Sequence, residues 1–231
     1  AIAAHHPAYG HTITLDAIET LRADLGDDAE FARAAGNRWT EVIGGAITAA
    51  EWKAARTTTA IPEGAPVGYG AARSEDGTQV AIAVAAQVDD QVVVEILDVL
   101  PTAHMAANHV ASWAGRDPVA VDPAGPSSGL ADDLSKLRVN LLQLTGRETS
   151  AAVQKVLDAF EPRAYRYREH PALDAAVKVA GKRRVNDGGY AWARVAAGAP
   201  IATLEAATWA VWALTHRPRT SGRQRVITAA A

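Results

Sequence analysis

The chain has 231 residues, of which 48% are hydrophobic, 21% charged and 6% aromatic, a globular composition that excludes a disordered or fibrous protein. Its formal net charge is −3, so any nucleic-acid role must come from a local basic face. It has no cysteine, which excludes a disulfide scaffold, a thiolate zinc site and a cysteine nucleophile. No apolar run approaches the roughly 18 residues of a membrane span and no signal-peptide pattern opens the chain, so no membrane partner is expected. The sequence begins at Ala1 and its single methionine is Met105, which reads as a piece of something longer or a trimmed product.

In chain order, Thr14 is a fitting N-cap for a helix over 15–21, with Asp16 in its first turn. A second helix is predicted over 27–39, and Thr48 caps a third over 49–55 with Trp52 on its apolar side. Residues 57–66 carry Pro62, Gly64 and Pro66 and read as a linker. Strands are then predicted over 67–72, 79–86 and 92–97, separated by turns at 73–77 and 89–91, which makes an antiparallel meander. Afterwards the period lengthens, with helices over 103–114, 130–137, 150–160, 171–182 and 201–214. Short strands over 118–122 and 139–144 and an edge strand over 190–195 alternate with them. The predicted fold class is α/β, a mixed sheet of three antiparallel strands followed by parallel ones, with helices on both faces. That is the order of a ribonuclease H-like fold.

Two segments carry the chemistry. In Val119-Ala120-Val121-Asp122-Pro123-Ala124-Gly125-Pro126 an acid closes a buried strand before a Pro/Gly loop, and open α/β sheets place their ligand crevice there, outside the carboxyl ends of the strands. Asp122 there is either a ligand for a divalent cation or a turn acid and helix cap. In Asn186-Asp187-Gly188-Gly189 before Tyr190, Asp187 is either a plain turn residue or a second carboxylate.

Set in order, these pieces resemble the nuclease domain of phage terminase large subunits, most of all those of actinobacterial phages and prophages. The resemblance runs over nearly the whole chain. Glu30-Phe31-Ala32-Arg33 through Trp39 and Trp52 looks like the segment joining the motor ATPase to its nuclease. Val67-Gly68-Tyr69-Gly70 with Asp76-Gly77-Thr78, and Val121-Asp122-Pro123 with Gly125-Pro126, follow the family pattern. So do Glu148 to Ala152, His170-Pro171-Ala172-Leu173-Asp174, and Asp187 to Arg194 ahead of Ile201-Ala202-Thr203-Leu204-Glu205.

The resemblance implies acids that gather one or two Mg²⁺ or Mn²⁺ ions for phosphodiester hydrolysis. The residues it offers are Asp122 and Asp187 as catalytic acids, with Glu205 and Asp76 as further metal ligands. Gly70 stands where the family resembled has an acid in the middle of the first strand, and Pro200 stands near another acid that the resemblance implies. Metal binding is therefore expected to be weak or single, and an acid in place of Gly70 is expected to raise cleavage. The implied domains are a helical lead-in over 1–60 from a missing ATPase half, a nuclease over 61–215 and a basic flexible tail over 216–231. No G-x-x-x-x-G-K-[ST] occurs, so the ATPase half lies elsewhere.

The implied function is metal-dependent endonucleolytic cutting of concatemeric viral DNA during genome packaging. The implied partners are double-stranded viral DNA, the ATPase half, the small terminase subunit and the portal, in the host cytoplasm at the procapsid. The alternatives are a decayed prophage remnant and a noncatalytic DNA-binding or docking module of the motor. Three basic groups are read as phosphate contacts or as solvated faces: Arg163, Arg166 and Arg168 interleaved with Tyr165 and Tyr167; Lys178, Lys182, Arg183 and Arg184; and Arg217, Arg219, Arg223 and Arg225. His5, His6 and His11 read as surface residues, and Trp192, Trp209 and Trp212 as core.

Overall fold

The computed structural model describes residues 14–25, 45–161, 163–185, 189–195 and 199–217. The predicted helix over 27–39, His5, His6, His11, Asp187, Arg219, Arg223 and Arg225 lie outside the described residues. The chain divides into two compact units, Ala1–Gly44 and Gly45–Ala231. In the first, helix α1 (Leu15–Leu25) starts where Thr14 Oγ1 accepts the Ala17 N–H at 3.3 Å, the expected cap.

The second unit opens with α2 (Ala49–Ala55), closed at its start by a capping box between Thr48 and Glu51. Its Trp52 and Ala55 pack in the core of this unit, so the segment read as lead-in is built into the sheet domain from Gly45 onward. A two-residue strand β1 (Arg56–Thr57) follows. The meander is β2 (Val67–Arg73), β3 (Val80–Val88) and β4 (Gln91–Leu100), paired antiparallel as the turn spacing predicts. Next come α3 (Ala103–Ala114), β5 (Pro118–Val121), α4 (Ser128–Ser135) and β6 (Asn140–Gln143). Then α5 (Gly146–Phe160), β7 (Tyr165–Arg168), α6 (Pro171–Val179), β8 (Ala180–Arg184), β9 (Tyr190–Arg194) and α7 (Ala202–Thr215) complete the order.

Among the described residues, seven strands form one sheet in the order β1-β7-β4-β3-β2-β5-β6. β5 pairs parallel between β2 and β6, so 119–121 is a central strand. The alternating pleat sends Ala72, Ala81, Ala83, Ala85 and Ala120 to the face covered by α5, α6 and α7. It sends Val67, Tyr69, Ala71, Ile82, Val84, Val119 and Val121 to the face covered by α3 and α4. The small residues on the first face let α7 lie directly on the sheet.

Four segments differ from the sequence reading. Tyr165–Arg168 is a core strand parallel to β4, with Tyr165 and Tyr167 buried, so these tyrosines belong to the interior, where Tyr167 stacks on Trp52. The predicted helix over 171–182 stops at Val179, because Lys182, Arg183 and Arg184 pair with Trp192, Ala191 and Tyr190 in a separate two-stranded ribbon. The strand over 190–195 is therefore half of that ribbon and not an edge of the main sheet. Helix α5 starts four residues early because Thr145 and Glu148 form a second capping box.

Candidate active site

Asp122 stands one residue beyond β5, at the carboxyl end of a central parallel strand. Its Oδ1 accepts the Ala124 N–H at 2.9 Å, a turn that holds the carboxylate at the mouth of the Pro/Gly loop. Burial pushes its pKa up, against the opposing pull of that hydrogen bond. Glu205 comes to the same place from the first turn of α7. Burial lifts its carboxyl to about 7; Arg194 opposes the rise, and the carboxylates of Asp122 and Glu75 add to it.

Asp122, Glu205 and Glu75 line one cavity of about 460 Å³, together with Arg73, Arg183, Arg194 and the rings of Trp192 and Trp209. Arg194 reaches in from the end of β9, with Nε 3.4 Å from Glu75 Oε2 and Nη2 3.9 Å from Glu205 Oε1. The ribbon that carries it is pinned to α7 by the Trp192 indole N–H, which donates to Thr208 Oγ1 at 2.9 Å. Ser127, at the start of α4, accepts the Arg73 N–H at 2.9 Å and ties the Pro/Gly loop to β2.

Of the residues singled out in the sequence, Asp122 and Glu205 are brought together and Asp76 is not. Asp76 sits in the β2–β3 turn, outside the cavity, where Ser74 Oγ donates to it at 2.5 Å and the Thr78 N–H and hydroxyl donate at 3.0 and 2.8 Å. Those bonds hold its carboxyl below the usual range. Asp187 lies outside the described residues. Glu75 and Arg194 enter the site unforeseen, although both left signals. The turn bonds of Asp-Gly-Thr consume Asp76 and leave its neighbour Glu75 to pair with Arg194, and period-two alternation puts Arg194 on the face of Trp192.

The expectation at Gly70 is corrected. Gly70 pairs with Ala120, two residues short of Asp122 and so roughly 7 Å down the strand. A Cβ there would lie 2.8 Å from the Trp209 carbonyl carbon and closer still to the Ala206 carbonyl oxygen, so the position faces the α7 backbone and not the cavity. The β2 residue level with Asp122 is Ala72, one step past the Ala71–Val121 pair and on the sheet face of Ala120. Pro200 precedes α7 without depriving it of an acid, since Glu205 follows one turn later.

The basic groups divide. Arg166 Nη1 donates to the Ala54 carbonyl at 2.6 Å, Arg168 grips both oxygens of Glu95 at 2.8 and 2.9 Å, and Arg217 bridges Asp117 at 2.8 Å. These hold the fold. Lys182, Arg183 and Arg184 on β8 are exposed, and Arg183 also lines the cavity. Trp192 and Trp209 are buried as expected, and Trp212 stacks on His216 at 3.7 Å.

The donor set suits a hard divalent cation, because Mg²⁺ is commonly held by one or two carboxylates and keeps waters for its other positions. Asp122 and Glu205 supply two such carboxylates. Among the described residues no three acids or histidines converge tightly enough to cage an ion. None of the described helices is long and apolar enough to cross a membrane.

A central parallel strand ending in an acid, a final helix bringing a second acid and an antiparallel meander beside them define a ribonuclease H-like α/β domain. Its fold is that of phage large-terminase nuclease domains. The bacteriophage HK97 large terminase matches with TM-score 0.56 and 14% identity, over 89% of this chain and 52% of that one. The large terminase nuclease of thermophilic phage G20c matches with TM-score 0.57 and 10% identity, over 74% and 98%. The same nuclease with bound magnesium matches at TM-score 0.54 and 9% identity, over 73% and 97%. The chain thus spans about half the length of the HK97 protein. No protein-family model and no curated protein matches the sequence.

Proposed function

We propose that the chain is the nuclease part of a terminase large subunit, cutting concatemeric double-stranded viral DNA during genome packaging. The observation that carries this reading is the meeting of Asp122 and Glu205 in one cavity, on the fold of terminase nucleases. Bound Mg²⁺ or Mn²⁺ would activate water and stabilise the leaving oxygen of a phosphodiester. Asp122 and Glu205 would hold the ion, Trp192 and Trp209 would wall the cavity, and exposed Arg183 would meet a phosphate at its rim.

The ATPase half, the small subunit and the portal are the partners this reading proposes, in the host cytoplasm at the procapsid. The viral source it proposes is an actinobacterial phage or prophage. The noncatalytic alternatives, a prophage remnant or a docking module, rest on β2, which offers Gly68, Gly70 and Ala72 and no carboxylate to this face. Nicking of supercoiled plasmid in Mn²⁺ tests the proposal. The chain is expected to nick, and Asp122→Asn or EDTA is expected to abolish nicking. Cutting that survives Asp122→Asn would place the active site elsewhere, and no cutting by the parent chain would favour the noncatalytic readings.

A further inference from the structure

We propose that Arg194 stands in for one of two cations: the site takes a single divalent ion at Asp122 and Glu205, and the guanidinium supplies the remaining positive charge. This rests on the nuclease reading above. Arg194 lies between Glu75 and Glu205 and lines the cavity that Asp122 shares with them. Both of its ion-pair distances exceed those of a tight charge-assisted hydrogen bond, about 2.7–2.9 Å. Its Nε is buried and has no hydrogen-bond acceptor among the described residues. The guanidinium is therefore held by the field of the acids and keeps donors free for a phosphate, whose oxygens its planar fork matches.

The acids set the charge. Among the described residues three carboxylates line the cavity, and of its three arginines Arg194 is the one that pairs with two of them, while the Arg73 guanidinium bonds the Gly77 carbonyl and Arg183 is exposed. Two divalent ions would need a further carboxylate between them, since such ions stand only about 3.5–4 Å apart. The sheet cannot provide it: Gly68 and Gly70 face the α7 backbone, and the residue level with Asp122 is Ala72. An arginine stays charged at every working pH, so this second charge is permanent and needs no second ion from solution.

Titration of the metal-free chain with Mn²⁺, followed by calorimetry and by the Mn²⁺ spin-resonance signal, reads the stoichiometry directly. The parent is expected to bind one ion. Arg194→Met is expected to bind its single ion at least tenfold more tightly, while Arg194→Lys keeps the parent's affinity. Circular dichroism confirms the fold of each variant, and Arg194→Lys retains the test should the methionine variant misfold. Two ions in the parent, no ion in the parent, or Arg194→Met binding like the parent would each overturn the inference. Plasmid nicking is scored separately. Its absence with the expected stoichiometry would fail the nuclease reading and leave the one-ion assignment standing.

Discussion

Gly70 lies under Ala206: a Cβ built on the glycine would fall inside the contact distance of the Ala206 carbonyl oxygen. The glycine is required by the close approach of α7 to β2, and Gly68 repeats the device one turn along, where a Cβ would lie 2.7 Å from the Ala210 carbonyl oxygen. Because the obstructing atoms are backbone, no rotamer change relieves them. Gly70→Asp should therefore fail to create a metal ligand and should destabilise the domain by about 3 kcal/mol or more, beyond ordinary overpacking because a charge is buried with the bulk. Urea denaturation decides it, and an unchanged midpoint would show that α7 can lift from β2 at little cost.

Ala72→Asp is the substitution that brings a carboxylate level with Asp122. Ala72 is 1% exposed, so the new acid should destabilise the chain in EDTA by about 2 kcal/mol, through burial and repulsion from its neighbours. Excess Mn²⁺ should recover that loss, because an ion bound only by the folded state stabilises it as its concentration exceeds Kd. Thermal melts with and without Mn²⁺ measure both effects. A variant that melts alike in the two conditions would show that position 72 does not face the ion.

The slip between Gly70 and Ala72 shows where sequence reasoning stopped. Val67-Gly68-Tyr69 and Tyr69-Gly70-Ala71 are both hydrophobic-Gly-hydrophobic, and moving by two residues keeps every side chain on its face. Only pairing with β5 chooses between them. The meander and the central 119–121 strand were legible because their turns and apolar runs are local signals. Tyr165–Arg168 was not, since an alternation of tyrosine and arginine suits a surface as well as a strand whose arginines find partners at Ala54 and Glu95. β8 hid behind helix-favouring Ala, Lys and Arg until its pairing with β9 overrode their propensity. In the site, Asp122 and Glu205 could be read from their places at element ends. Glu75 and Arg194 depend on how a turn and a ribbon fold over the cavity.

The ribbon's seat on α7 yields a third prediction. Thr208 Oγ1 accepts the Trp192 indole N–H and donates to the Leu204 carbonyl at 2.8 Å, all in buried surroundings. Thr208→Val keeps the volume and leaves the indole N–H without an acceptor, costing about 1–3 kcal/mol. Since Arg183 and Arg194 ride on the same ribbon, nicking should fall further than the loss of folded protein explains. Nicking that tracks the folded fraction alone would mean that the ribbon's position does not matter to the site.

The capping box of α5 predicts an acid limb in stability. Glu148 Oε2 accepts the Thr145 N–H and hydroxyl, both at 2.8 Å, and Thr145 Oγ1 accepts the Glu148 N–H at 3.3 Å. The bond from the Thr145 N–H, then that from its hydroxyl, hold the Glu148 carboxyl below its ordinary 4.5. Between the lowered folded value and 4.5 the unfolded chain binds more protons, so stability rises with pH across that window. The contribution is whole above 4.5 and is lost as pH falls through the folded value. Glu148→Ala should cost about 0.5–1 kcal/mol at pH 7, the usual worth of a helix cap. The gap in melting temperature between parent and variant should stay level from pH 7 to 5 and close below 4.5. A gap that persists unchanged at pH 3 would assign the loss to the side chain's packing and not to its charge.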